Sequence, residues 1–156
     1  MSFEQVCLPH YHQVEGLCQR MLGRSRAQDA AQETFIRAMQ AYPSLHRPES
    51  ARAWLLTIAT RHCLDTLRRR EDSAVEEELP DFQPDREHAL LSQQILRAMP
   101  PRTRGLLILR HCLQLSYQEI AAVLEMPANQ VGVALQRARQ EALRFARERG
   151  MIDAVR

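Results

Sequence analysis

Apolar residues recur at spacings of three and four along most of the chain, and no stretch sustains the alternation of a half-buried strand. Phe3, Val6, Cys7, Tyr11, Val14, Leu17, Cys18, Met21 and Leu22 trace one stripe. Pro9 falls inside it, so the spacing predicts an amphipathic helix that starts or kinks there and ends at Gly23. Ser25 and Gln28 form a capping-box pair and predict a second helix running to Tyr42, ahead of Pro43. Its inward face is Ala27, Ala30, Ala31, Thr34, Phe35, Ala38 and Met39. A third helix, from about Glu49 to Arg70, turns Trp54, Leu55, Ile58, Ala59, Cys63, Leu64 and Leu67 inward. It ends on Arg68, Arg69 and Arg70, where cations suit the negative end of a helix dipole.

The pattern then lapses. Glu71 to Asp85 holds few apolar residues and two prolines, Pro80 and Pro84, and reads as a flexible acidic linker. Helical spacing resumes with Asp85 as a candidate cap for a helix to Met99, stopped by Pro100 and Pro101. A further helix carries Leu106, Leu107, Ile108, Leu109 and Leu113. Ser116 and Glu119 make a second capping box, opening a short helix with Ile120, Ala121 and Leu124 inward. Glu125, Met126 and Pro127 break it, and a longer helix follows with Val131, Leu135, Ala138 and Leu143 inward. Helix, three-residue break, helix is a helix-turn-helix pattern. The expected fold class is all-α: two small helical domains, residues 1–70 and 87–156, joined by the linker 71–86.

Composition agrees with helices: aromatic residues make up 5% of the chain and glycines number five. The four cysteines, Cys7, Cys18, Cys63 and Cys112, are scattered without a CxxC pair and read as reduced thiols rather than a disulfide framework. Cys7, His10, His12 and Cys18 invite a metal reading. Yet Cys7, Tyr11, Val14 and Cys18 share one helical stripe while His10 and His12 point apart, so core packing is expected. No apolar run approaches the ~18 residues of a membrane span, and the N-terminal stretch lacks a signal-peptide layout. A cytoplasmic chain without membrane insertion is expected. Phosphate-binding glycine loops, triad spacings and zinc motifs are missing, so neither an enzyme nor a metal or cofactor is expected.

The net charge of +2 by itself speaks against a nucleic-acid partner, but its distribution reverses that reading. Residues 1–70 carry +4, residues 71–99 carry −6 and residues 100–156 carry +4. Every one of the 21 basic residues is arginine, the better fork for phosphates and base edges.

These pieces form a family pattern. Asp29 to Met39 (DAAQETFIRAM), Ala53 to Ala59 (AWLLTIA) and Leu64 to Arg69 (LDTLRR) resemble region 2 of the extracytoplasmic-function sigma factors. Met99 to Arg110 (MPPRTRGLLILR), Leu115 to Ala121 (LSYQEIA) and Arg137 to Arg139 (RAR) resemble their region 4. The similarity covers nearly the whole chain, in family order. It implies a bacterial initiation subunit of RNA polymerase: core polymerase and promoter DNA as partners, and an anti-sigma factor holding the protein in check under a stress or envelope signal.

The resemblance also implies residue roles. Asp29, Gln32 and Glu33 match the polymerase-docking motif, and Asp29 and Glu33, four residues apart, can accept forks from partner arginines. Arg61, Asp65, Arg68 and Arg69 lie where relatives engage the opened −10 strand, with Arg61 standing where many carry asparagine. In the recognition helix Asn129, Gln130, Gln136, Arg137 and Arg139 are the candidate −35 readers, amides for adenine edges and arginines for guanine or phosphate. Relatives typically run threonine-valine-lysine-serine-arginine where this chain has Gln130, Val131, Gly132, Val133 and Ala134, and Glu125 occupies the usual turn glycine. Two rivals share these features. One is a sigma-like mimic that binds an anti-sigma factor without productive −35 recognition; the other is a stand-alone helix-turn-helix repressor.

Overall fold

A computed structural model describes residues 2–73 and 87–151, and every regular element in them is helical. The first stripe is split as Pro9 requires. Helix α1 (Phe3–Cys7) passes through one 3-10 turn (Leu8–His10) into α2 (Tyr11–Leu22). Phe3, Val6, Cys7, Val14, Leu17, Cys18, Met21 and Leu22 are all buried, and Tyr11 packs against them. Gly23 ends α2 with φ of +93°, a left-handed conformation that costs glycine little.

Helix α3 (Arg24–Ala41) begins one residue before Ser25, with Gly23 as its N-cap and no side-chain cap bond. The expected Ser25–Gln28 capping box does not form, because Ser25 already lies inside the helix. Ala27, Ala30, Ala31, Thr34, Phe35 and Ala38 face inward as expected. Met39 does not: it is 57% exposed, being rotated about 100° from its buried neighbour Ala38. The buried hydroxyl of Thr34 donates to the Ala30 carbonyl at 2.8 Å, which lets a polar residue sit in this core.

Helix α4 (Ala51–Ser73) starts after a 3-10 turn at Pro48–Ser50 and runs three residues past the expected end at Arg70. Nothing in Glu71, Asp72 and Ser73 is a glycine or proline that would stop it. Leu55, Leu56, Ala59, Cys63 and Leu67 are buried, with Trp54, Ile58 and Leu64 half-buried beside them. Helices α2, α3 and α4 pack on one another as the first domain. The rest of the acidic linker, including the candidate cap Asp85, lies outside the described residues.

The second domain holds α5 (Glu87–Ala98), α6 (Pro101–Leu107), α7 (Tyr117–Leu124) and α8 (Ala128–Glu148). After α6 the chain widens into one π turn, Ile108–Cys112. The Ser116–Glu119 capping box forms as expected: the Glu119 amide donates to Ser116 Oγ at 3.1 Å and the Ser116 amide to Glu119 Oε1 at 2.9 Å. Val131, Leu135 and Ala138 are buried, but Leu143 is 45% exposed and the last turn inserts Ala146 instead. Helix α8 packs across α5, α6 and α7.

The two domains are not held apart. Helix α4 lies against α6 and α7, and α2 against α5 and α6, so their buried residues form one continuous cluster. Arginines donate across this seam to backbone carbonyls at or near helix ends. Arg104, 4% exposed, donates to the Met21 carbonyl near the end of α2, and also to the Arg97 and Met99 carbonyls. Arg52 donates to Gln13 and to the Leu113 carbonyl. Such carbonyls have no partner within their own helix, and a cation there also meets the negative end of the dipole.

Candidate functional site

Helix α3 presents the expected docking residues. Asp29 and Gln32 are exposed, while the half-exposed Glu33 carboxylate already accepts from Arg37 Nε, one turn on, at 3.1 Å. An exposed i, i+4 pair of this kind is worth a few tenths of a kcal/mol, so a partner arginine can displace it. Ile36 and Met39 are also exposed, at 51% and 57%. They continue the face of Gln32 and Glu33 and make it amphipathic rather than simply acidic. Sequence reading missed both; the signal was their angle to the alanine stripe of the core.

Helix α4 carries Arg61, Asp65, Arg68 and Arg69, all exposed and spaced to share one face. Arg68 pairs with Asp65 at 3.3 Å within the helix. Arg61 reaches instead into the second domain. Its Nε and one terminal nitrogen donate to the carbonyls of Val123 and Ala122 at 3.4 and 3.1 Å, and it pairs with Glu125 at 3.3 Å. Arg102 takes the next carbonyl, Leu124, at 2.7 Å. The last turn of α7 is thus closed by two arginines, one from each domain.

The helix-turn-helix is built as its residues dictate. Glu125 adopts the left-handed conformation, φ 55° and ψ 53°, which a glycine would enter freely. Met126 then donates to the Ala121 carbonyl at 3.0 Å and Pro127 caps α8. With about 100° between successive residues, Asn129, Gln130, Val133, Gln136, Arg137 and Gln140 fall on the outer face of α8. All six are exposed, Val133 by 53%. Arg144 continues this face, while Glu141 and Glu148 lie at its edge. Arg139 is set apart from the other −35 candidates. It lies on the opposite flank, half-buried, with Nε donating to His111 Nε2 at 3.0 Å.

The Cys7, Tyr11, Val14 and Cys18 stripe is core, as expected, with all three of Cys7, Val14 and Cys18 fully buried. Cys18 and Cys63 bring their sulfurs within 3.9 Å, and their mutual contact with burial pushes the Cys63 thiol up. Among the described residues no group of three or more His, Cys, Asp or Glu side chains is placed to hold a metal ion. No helix among them is long and apolar enough to cross a membrane.

The family description Sigma-70 region 2 matches residues 8–72, and Sigma-70, region 4 matches residues 91–141. RNA polymerase sigma-H factor of Pseudomonas aeruginosa is 31% identical over 89% of this chain and 83% of that protein. ECF RNA polymerase sigma factor SigW of Bacillus subtilis is 30% identical over 92% of this chain and 87% of its own length. In fold, the chain is similar to the sigma factor RpoE of Bartonella quintana, solved in complex with the anti-sigma factor NepR. The TM-score is 0.80, with 20% identity, over 97% of this chain and 98% of that one. CnrH, solved with the cytosolic domain of CnrY, matches with a TM-score of 0.70 and 22% identity over 92% and 86% of the two chains. The chain belongs to the extracytoplasmic-function sigma factors of the sigma-70 family.

Proposed function

We propose that this sigma factor is a cytoplasmic specificity subunit that directs core RNA polymerase to its promoters in response to a stress or envelope signal. It performs no catalysis of its own. Residues 1–70 dock on core polymerase through Asp29, Gln32 and Glu33 and engage the −10 element through Arg61, Asp65, Arg68 and Arg69. Residues 87–156 read the −35 element through Asn129, Gln130, Gln136 and Arg137, with Arg139 turned to the opposite flank and held by His111, and the acidic segment 71–86 ties the two domains. The observation that carries this reading is the outer face of α8. Behind a capped helix and a left-handed turn, it offers amides and an arginine in a row with few acids between them. Amides suit adenine edges and arginine suits guanine or phosphate, while an exposed Val133 suits a thymine methyl group.

A second reading has an observation of its own. Gly132, Val133 and Ala134 lie in the first part of α8, Ala128 to Gln136, which carries no charge, and this favours a sigma-like mimic that binds an anti-sigma factor without reading −35 DNA. The fold likeness to a sigma factor solved in complex with an anti-sigma factor supports an anti-sigma partner under either reading. Run-off transcription with purified core polymerase separates them. The initiation factor yields promoter-dependent transcripts. Tight anti-sigma binding with no initiation would overturn the first reading in favour of the second. Reversing the charges of Asp29 and Glu33 should weaken competition for core polymerase, and unchanged competition removes the docking role.

A further inference from the structure

Arg61 sits at the meeting point of the two domains, and the groups it touches there exclude its use elsewhere. Its guanidinium spends donors on the Ala122 and Val123 carbonyls and its charge on Glu125. Those three residues form the end of α7 and the turn that aims α8. Glu125 holds this position at the cost of a left-handed backbone conformation that a glycine adopts freely.

Resting on the promoter role given to α4 above, we propose that the Arg61–Glu125 pair is a latch. It closes the helix-turn-helix domain onto α4 in the free protein and must release before that face of α4 meets DNA. One guanidinium cannot serve both partners, since a DNA strand at Arg61 would have to displace Glu125 and the end of α7. The pair is suited to release. Its side chains are 48% and 76% exposed, so it is an edge contact open to water and ions, unlike the buried Arg104 that anchors the same seam. Phosphate competes for the same fork that the carboxylate holds. Opening the latch frees the Arg61 fork and loosens the turn that orients α8, whose outer face is already exposed.

The test needs neither DNA nor polymerase and therefore stands or falls separately from the promoter assignment. Spin labels on cysteines placed at the exposed Gln40 and Gln140, with Cys112→Ser removing the exposed native thiol, report the interdomain distance by double electron–electron resonance. The free parent is expected to show a dominant closed distance. Glu125→Arg and Arg61→Glu should each raise the open-to-closed ratio about five-fold or more. The charge-swapped double variant R61E/E125R restores the ion pair but not the bonds to the Ala122 and Val123 carbonyls, so it should open clearly less than the sum of the two single variants. Because Glu125 is well exposed, its substitution leaves the core untouched, and R61E checks the same contact from the other side. A distance distribution that neither single variant shifts overturns the latch, as does a double variant that opens as far as the sum of the two.

Discussion

Arg139 Nε donates to His111 Nε2 at 3.0 Å, so the fold holds that histidine nitrogen as an acceptor. His111 thereby ties the recognition helix to the π turn that follows α6. Burial first, then the charges of Arg139 and Arg110, hold His111 below the ordinary histidine value. His10 is lowered in the same sense by burial and Arg52, and His62 by burial and Arg37, with Glu33 and Asp65 opposing.

The sign of the pH dependence follows. A group whose folded pKa is depressed binds fewer protons in the fold than in the unfolded chain, so stability is complete above the unfolded value of about 6.5. It is lost as pH falls from there through the lower folded values. Thermal midpoints should hold between pH 8 and 7 and decline from pH 6.5 downward. Proton titration of His111 by NMR should show a midpoint below 6.5, and Arg139→Met should move it upward. A midpoint unchanged by that substitution would mean that the two side chains do not meet in solution.

Gly23 stands where a side chain is strained. Its φ is +93°, and a Cβ would stand 2.8 Å from a terminal nitrogen of Arg97 on α5. Gly23→Ala should therefore cost about 2 kcal/mol, combining backbone strain with displacement of that arginine. Gly105→Ala is the control, since a Cβ there meets nothing within 4 Å. Denaturant midpoints for the two variants should separate clearly.

Arg104 is expected to matter more than any exposed arginine. Replacing it with methionine keeps much of the apolar stem but strands the carbonyls of Met21, Arg97 and Met99. Losing charge-assisted bonds in a buried seam should cost about 3 kcal/mol. Urea unfolding of Arg104→Met against Arg37→Met, an exposed site on α3, measures the difference directly.

The two recognition-helix arginines should behave unequally. Arg137→Ala removes an exposed cation from the outer face of α8 and should reduce the salt slope of promoter binding by the holoenzyme by about one. Arg139→Ala should change that slope less, because its guanidinium lies on the other flank and is engaged by His111. Equal slopes for the two variants would place both against phosphate.

Much of the architecture was legible along the chain because helices are written locally. The α2 stripe, the Pro9 interruption, the Ser116–Glu119 capping box and the Pro127 break depend on residues within a few positions of one another, and each reappears in the fold. The misread inward residues, Met39 and Leu143, sit at the edges of their arcs. There periodicity tolerates either placement, and only the neighbouring helix decides. Ser25 failed as a cap because Gly23, held left-handed beside Arg97, starts α3 two residues earlier than Ser25 would have.

The candidate surfaces divide in the same way. That Gln130 and Arg137 share a face follows from helical angle alone, and so does the placement of Arg139 away from them. No local rule pairs Arg61 with Glu125 or Arg104 with the Met21 carbonyl, since those partners are 64 and 83 residues apart in sequence. Sequence by itself determined two helical domains, their caps and the charge of their outer faces. Tertiary structure alone decided that the domains close on each other. The physical reason is that an arginine fork needs a carbonyl or carboxylate within about 3 Å, and only folding brings a helix end that near.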